Sequence, residues 1–197
     1  MKKSEATRQT IIEKSALTFN LKGYDSTSMS DIQQLTGLSR GALYGNFADK
    51  NELIVDAYEF NFNASLARTK ASMSKFNSAS DKLMAYVSQY NKDWKGVFER
   101  GGCPMLNAAV EADDHLVFMK PKVSSSIKQF IVLIRDTIVS GQADGEFNKD
   151  CNAQEYAELM FSMVEGSIML AKSTDEPKHL RKIIERIKMI IAQELTA

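Results

Sequence analysis

Ser39, Arg40, Tyr44 and Asn46 lie close together in one short stretch of the chain. Arginine and asparagine side chains make paired hydrogen bonds to base edges, and serine and tyrosine hydroxyls donate to phosphate oxygens. Interleaved with them are Gly41, Ala42 and Gly45. A helix built for stability alone rarely holds two glycines so close together, because each costs roughly 1 kcal/mol relative to alanine. Glycine makes sense there if the helix backbone must approach another surface. The chemistry on offer is contact with a nucleic-acid groove.

Such a helix has to be positioned by its neighbours. Ser28 and Asp31 form an S-x-x-D pattern that caps a first short helix, with Ile32 and Leu35 as its inward face. Gly37 supplies a turn, Leu38 plugs it, and Ser39 caps a second helix running to Phe47, with Leu43 and Phe47 inward. Two helices joined by a three- or four-residue turn containing glycine form a helix-turn-helix, whose second helix enters the major groove. The competing reading of this pattern is an ordinary helical hairpin inside a bundle.

The surrounding residues carry a family resemblance. Thr7, Arg8 and Ile11 are followed by Ala16, Leu17 and Phe19, then by Lys22, Gly23 and Tyr24. Thr27 and Ser28, the run from Gly37 to Tyr44, and Phe47, Lys50 and Leu53 complete the order. This part of the chain resembles the DNA-binding domain of tetracycline-repressor (TetR) type regulators. The resemblance implies an all-helical homodimer with a divergent C-terminal domain that binds an effector. It also implies DNA contacts from Thr27, Ser28, Ser39, Arg40, Gly41, Ala42, Tyr44, Asn46 and Lys50. Gly45 and Asn46 replace the bulkier or histidine residues often found before the phenylalanine, so the operator sequence stays open. Further on, the stretch from Gly102 through Cys103 and Asn107 to Glu111 resembles a motif at the corresponding place in the second domain of many such regulators.

Composition agrees with a packed intracellular domain. Hydrophobic residues make up 44% of 197 residues, enough for a core. No apolar run reaches the roughly 18 residues that span a membrane. The N-terminal Met-Lys-Lys-Ser-Glu lacks the apolar centre of a secretory signal. Cys103 and Cys151 are far apart and make no disulfide framework, which points to the reducing cytoplasm. Formal net charge is zero, which argues mildly against a nucleic-acid binder. The stretch from Met1 to Lys50, however, holds seven basic residues against five acidic ones.

Helical spacing continues to the C-terminus, and no segment alternates as a strand would. The fold expected is all-α. A helix-turn-helix domain over residues 1–50 precedes a helical ligand-binding and dimerisation domain over 51–197, with 51–70 as the linking helix. In that second domain a helix is expected over 81–98, with Leu83, Val87, Tyr90 and Trp94 on one face. Another follows Gly101, Gly102 and Pro104.

Two constellations there could act. Leu180, Ile184, Ile187 and Ile191 form a stripe near the C-terminus, and Leu159, Met163, Gly166 and Leu170 share a face of the preceding helix. Both read as a dimer interface, with packing inside the domain as the alternative. Tyr90, Trp94, Phe98, Cys103, Met105, Phe118, Phe130 and Met169, with Met84 and Tyr86, supply large adaptable side chains for an effector site, or simply a core.

Catalytic readings find little support. His115 and His179 are isolated among charged residues, and no metal cluster or nucleophile motif is present in the sequence. No metal or cofactor is expected. Cys103 beside a helix N-terminus could be redox-active, and a buried structural cysteine is the alternative. The expectation is a cytoplasmic homodimeric repressor on inverted-repeat double-stranded DNA, released by a small apolar effector. A cysteine-based redox sensor and a regulator with no small ligand are the other readings.

Overall fold

The structure, a computed structural model, describes residues 3–196. Ten α-helices run through it: α1 (Lys3–Lys22), α2 (Met29–Thr36), α3 (Arg40–Tyr44), α4 (Lys50–Met73), α5 (Ala79–Lys92), α6 (Trp94–Glu99), α7 (Pro104–Asp114), α8 (Lys120–Ala143), α9 (Ala153–Thr174) and α10 (Lys178–Ile190). A 3₁₀ turn, Val117–Met119, precedes α8, and a π turn, Ile191–Leu195, extends α10. The sole β feature among the described residues is one isolated bridge between Phe147 and Thr196. None of the helices is long and apolar enough to cross a membrane.

The chain divides into two compact units, Met1–Ser65 with Pro104–Ser125, and Leu66–Cys103 with Ser126–Ala197. This division cuts across the boundary expected at residue 50. The first unit takes in α7, which sequence order alone assigns to the second domain. In the first unit Ile11, Phe19, Tyr24, Ile32, Leu43, Phe47, Leu53, Ile54 and Tyr58 are fully buried or nearly so. Phe19 stacks on Tyr24 at 5.7 Å between ring centroids, and Tyr24 meets Tyr58 edge-on at 6.2 Å. Leu35, expected to face inward with Ile32, is exposed instead. On so short a helix only one apolar position per turn reaches the core.

In the second unit α10 packs on α9 and α5. Its core includes Leu83, Val87, Phe130, Ile134, Ile138, Met160, Ile168 and Ile190. Asn152 caps α9 by accepting from the N–H groups of Gln154 and Glu155, and Glu146 accepts from the N–H groups of Ala79 and Ser80 at the start of α5, both at 2.7 Å. The helix expected over 81–98 is broken at Asp93, whose φ of −112° and ψ of 33° leave the helical region. Asp93 and Gly96 are weak helix formers, and the Asp93 carboxylate turns to Arg100 at 2.5 Å.

The C-terminal stripe is also corrected. Leu180, Ile187 and Ile191 are buried within the single chain, Ile187 to 0% exposure. An apolar stripe on a helix marks the face that must be covered and does not say by what. Here α9 and α5 cover it, so these three residues are core and not a free interface.

Candidate nucleic-acid interface

The helix-turn-helix assembles from local chemistry. Ser28 and Asp31 form a reciprocal capping box: Ser28 Oγ accepts from the Asp31 N–H at 3.1 Å, and the Asp31 carboxylate accepts from the Ser28 N–H at 2.8 Å. Hydrogen bonds from the Ser28 hydroxyl and backbone, with the Lys22 charge, hold the Asp31 carboxyl below its ordinary range. Gly37 ends α2 at φ +73°, a left-handed conformation that favours glycine. Ser39 then caps α3, accepting from the Ala42 N–H at 3.2 Å.

Burial of Leu43 and Phe47 fixes which face of α3 turns outward. Ser39, Arg40, Gly41, Tyr44 and Gly45 are exposed, and Ala42 is half-buried. The Arg40 guanidinium lies over the Tyr44 ring at 5.6 Å. A Cβ on Gly41 would meet nothing within 4 Å, so this glycine answers no packing need inside the chain. The result is a low, open helix face with a cation and an aromatic hydroxyl standing on it.

Other expected contacts are otherwise engaged. Thr27 is buried, and its hydroxyl donates to the Gly23 carbonyl at 2.7 Å, so it supports the turn and does not face DNA. The Ser28 hydroxyl serves the capping box. Asn46 turns its amide back, donating from Nδ2 to the Ala42 carbonyl at 2.8 Å. Lys50 Nζ donates to the Asp25 carbonyl at 2.6 Å.

Arg8 stands in the motif that carries the resemblance, but its contacts do not follow from that motif. From α1 it donates to the backbone carbonyl of Asn46, to Glu52 at 2.8 Å and to Asp56 at 2.5 Å. Its guanidinium also lies over the Phe47 ring at 4.2 Å. It therefore ties the end of α3 to α1 and α4. Glu52 also accepts from the Ala48 N–H, and this bond, reinforced by Arg8, keeps its carboxyl below the ordinary range. Glu111 on α7 accepts from the N–H groups of Tyr24 and Asp25, and Asn107 donates to Asn20. The i, i+4 spacing of Asn107 and Glu111 was visible in the sequence, but their partners lie 86 or 87 residues away.

The expected effector residues are divided between the two units. Tyr90, Trp94, Phe98, Cys103, Phe130 and Met169 belong to the second unit, whereas Met105 and Phe118 belong to the first. Phe118 and Met169 are exposed, and Phe130 is core, its ring 6.2 Å from Phe161. Trp94 and Phe98 pack edge-on at 5.4 Å within α6. Cys103 is buried and its thiol hydrogen-bonds the Glu165 carboxyl. On α9, Leu159 and Leu170 are exposed, and Met163 and Gly166 half-buried.

A short capped helix with an open face, held by a capped partner helix across a glycine turn, defines a helix-turn-helix DNA-binding protein. Family models agree: residues 11–57 match the bacterial regulatory proteins of the tetR family, and residues 79–187 match the tetracyclin repressor-like C-terminal domain. The chain belongs to the TetR family of transcriptional regulators. A TetR-family transcriptional regulator from Cytophaga hutchinsonii has a similar structure, with TM-score 0.93, 32% identity and coverage of 98% of this chain and 96% of that one. The uncharacterized HTH-type transcriptional regulator YxaF of Bacillus subtilis is 22% identical, over 95% of this chain and 96% of its own. The fold is also that of a cysteine mutant of the TetR-family regulator CifR solved with 26-bp double-strand operator DNA: TM-score 0.81, 18% identity, coverage 90% and 93%.

Proposed function

We propose that this protein is a homodimeric repressor that binds an inverted-repeat operator and is released by a small molecule held in its second unit. The observation that carries the reading is the open face of α3, with Arg40 and Tyr44 exposed above Gly41. Arg40 reads a base edge, Ser39 and Tyr44 donate to phosphates, and the bare backbone at Gly41 lets the helix sit deep in the groove. The operator complex of CifR supports the DNA-binding arm.

The dimer contact in this reading uses Leu159, Met163, Gly166 and Leu170 of α9 with Ile184 of α10; Leu159 and Leu170 are exposed and the other three half-buried. A Cβ on Gly166 would meet nothing within 4 Å, which leaves room for a partner helix. Two-fold symmetry in the protein then requires two-fold symmetry in its site. Selection of bound duplexes from random DNA tests this directly. An inverted repeat is the expected consensus, and a non-palindromic consensus would overturn the dimer model.

A further inference from the structure

Four side chains that the DNA-binding face does not use meet in the second unit. Tyr86 and Tyr90 lie one turn apart on α5, with rings edge-on at 6.0 Å and 88°. Glu165 comes from α9, and Cys103 from the end of the segment before α7. Tyr86 has 0% exposure, yet its hydroxyl has no hydrogen-bond partner. Glu165 Oε2 is likewise buried without a partner. Tyr90 and Glu165 are half-buried as whole residues, so the cluster is not sealed.

Two orphaned polar atoms in one buried cluster are costly, at roughly 1–3 kcal/mol each. Glutamine or leucine at position 165 would avoid the cost of burying a carboxylate. We propose that Glu165, Tyr86 and Tyr90 form a binding site for an apolar organic cation, such as a quaternary or protonated amine. The inference rests on the reading of this unit as an effector domain and names the class of effector. Glu165 supplies the counter-charge, and the tyrosine rings supply cation–π faces.

The electrostatics of the cluster support this assignment. Burial pushes the Glu165 carboxyl up to about 7, and the Cys103 hydrogen bond only partly opposes it. Tyr86 is raised by burial and by the charges of Tyr90, Glu165 and Cys103, so it stays a neutral phenol. Tyr90 is raised by burial too, and Thr69 and Arg68 work against that rise. Arg68 lies on the Tyr90 side with Arg100 and Asp93 as its charged neighbours, and the Lys172 stem packs by Gly102. Neither cation contributes to the Glu165 shift. A water molecule could satisfy Oε2 and the Tyr86 hydroxyl, but it would leave the charge uncompensated once the carboxyl ionises above about pH 7.

The test uses the full chain, titrated calorimetrically with benzyltrimethylammonium and with its uncharged isostere neopentylbenzene, at pH 6 and pH 8. The cation is expected to bind at least about tenfold more tightly than the isostere, and about tenfold more tightly at pH 8 than at pH 6, as Glu165 ionises. Glu165→Gln removes both the preference and the pH slope, and Tyr86→Phe retains the slope. Equal binding of the two probes overturns the proposal, as does absence of cation binding at both pH values. Tightening toward pH 6 also overturns it, since that is the sign for a neutral ligand accepting a hydrogen bond from protonated Glu165. Operator affinity is measured in parallel. If the cation binds through Glu165 and operator affinity does not move, the site stands and release by effector falls. If no operator binds even without the cation, the DNA-binding reading falls and the ligand result is unaffected.

Discussion

The carboxylate of Glu111, on α7, accepts a hydrogen bond from the backbone N–H of Tyr24 at 2.9 Å, across 87 residues of sequence. Its other oxygen takes the N–H of Asp25 at 2.7 Å. One side chain thus holds the turn that leads from α1 into the helix-turn-helix. Glu111→Ala leaves two backbone donors without this acceptor, at a cost of roughly 1–3 kcal/mol of stability. Operator affinity should drop for all sequences alike, because the loosened turn no longer presets α2 and α3. Glu111→Gln, which keeps one acceptor, should recover part of both losses. Thermal unfolding and operator titration of the two variants check this, and an unchanged Glu111→Ala protein would remove the turn-holding role.

Arg8 has the corresponding role at the other end of the motif. Its contacts to Asn46, Glu52, Asp56 and Phe47 are lost together in Arg8→Met, which keeps the apolar stem. Hydrogen bonds to charged groups contribute about 1.5–3 kcal/mol each to stability at most, and only partly exposed ones approach the lower figure. The expected result is weaker operator binding with the dimer intact by sedimentation. A variant with wild-type operator affinity would show that α3 holds its position without Arg8.

The exposed Arg40 and the half-buried Lys50 should part in their effects on DNA. Arg40→Ala should lose roughly 1–3 kcal/mol on the operator and relax specificity at one base pair. Lys50 reaches a phosphate only by releasing the Asp25 carbonyl. Lys50→Ala should then weaken all sequences equally and lower the salt slope by about one. If its salt slope equals that of the wild type, Lys50 is a strut for the turn and nothing more.

Leu170 and Ile187 distinguish interface from core. Leu170 is exposed in the single chain, so Leu170→Glu costs the monomer little, whereas a buried unpaired charge in a dimer is strongly unfavourable. We expect a folded monomer by sedimentation that has lost operator binding. Ile187→Glu places the charge in the core of the second unit, and an unfolded or insoluble chain is expected. A dimeric Leu170→Glu protein would move the interface elsewhere.

Glu165 makes stability depend on pH. Its carboxyl is raised from 4.5 to about 7, chiefly by burial. Between these values the folded chain holds a proton that the unfolded chain has released. The contribution is therefore complete below the unfolded value and is lost as pH rises through about 7. At about 1.4 kcal/mol per pKa unit, the loss by pH 8 is roughly 3 kcal/mol as an upper bound. Glu165→Gln should flatten this slope and be the more stable protein at pH 8 in urea titrations. Parallel slopes for the two proteins would mean that Glu165 titrates normally.

The local units follow from short-range sequence alone. Ser28 with Asp31, Gly37 and Ser39 specify caps and a turn through contacts at most four residues apart, and each appears where the spacing predicts. The motif order likewise carried the family. It could not decide which partner covers an apolar face: the stripe through Leu180, Ile187 and Ile191 was legible, but only the packing of α10 on α9 and α5 made it core. Nor could it show that Thr27, Asn46 and Lys50 bond to the chain itself, since each of their hydrogen bonds depends on where the backbone turns. Arg8 and Glu111 stood in the motifs that carry the resemblance and Glu165 in none, and for none of the three did the sequence indicate a contact. Their roles come from partners distant in the chain, and hydrogen bonding, burial and charge act through space, so only the tertiary structure could assign them.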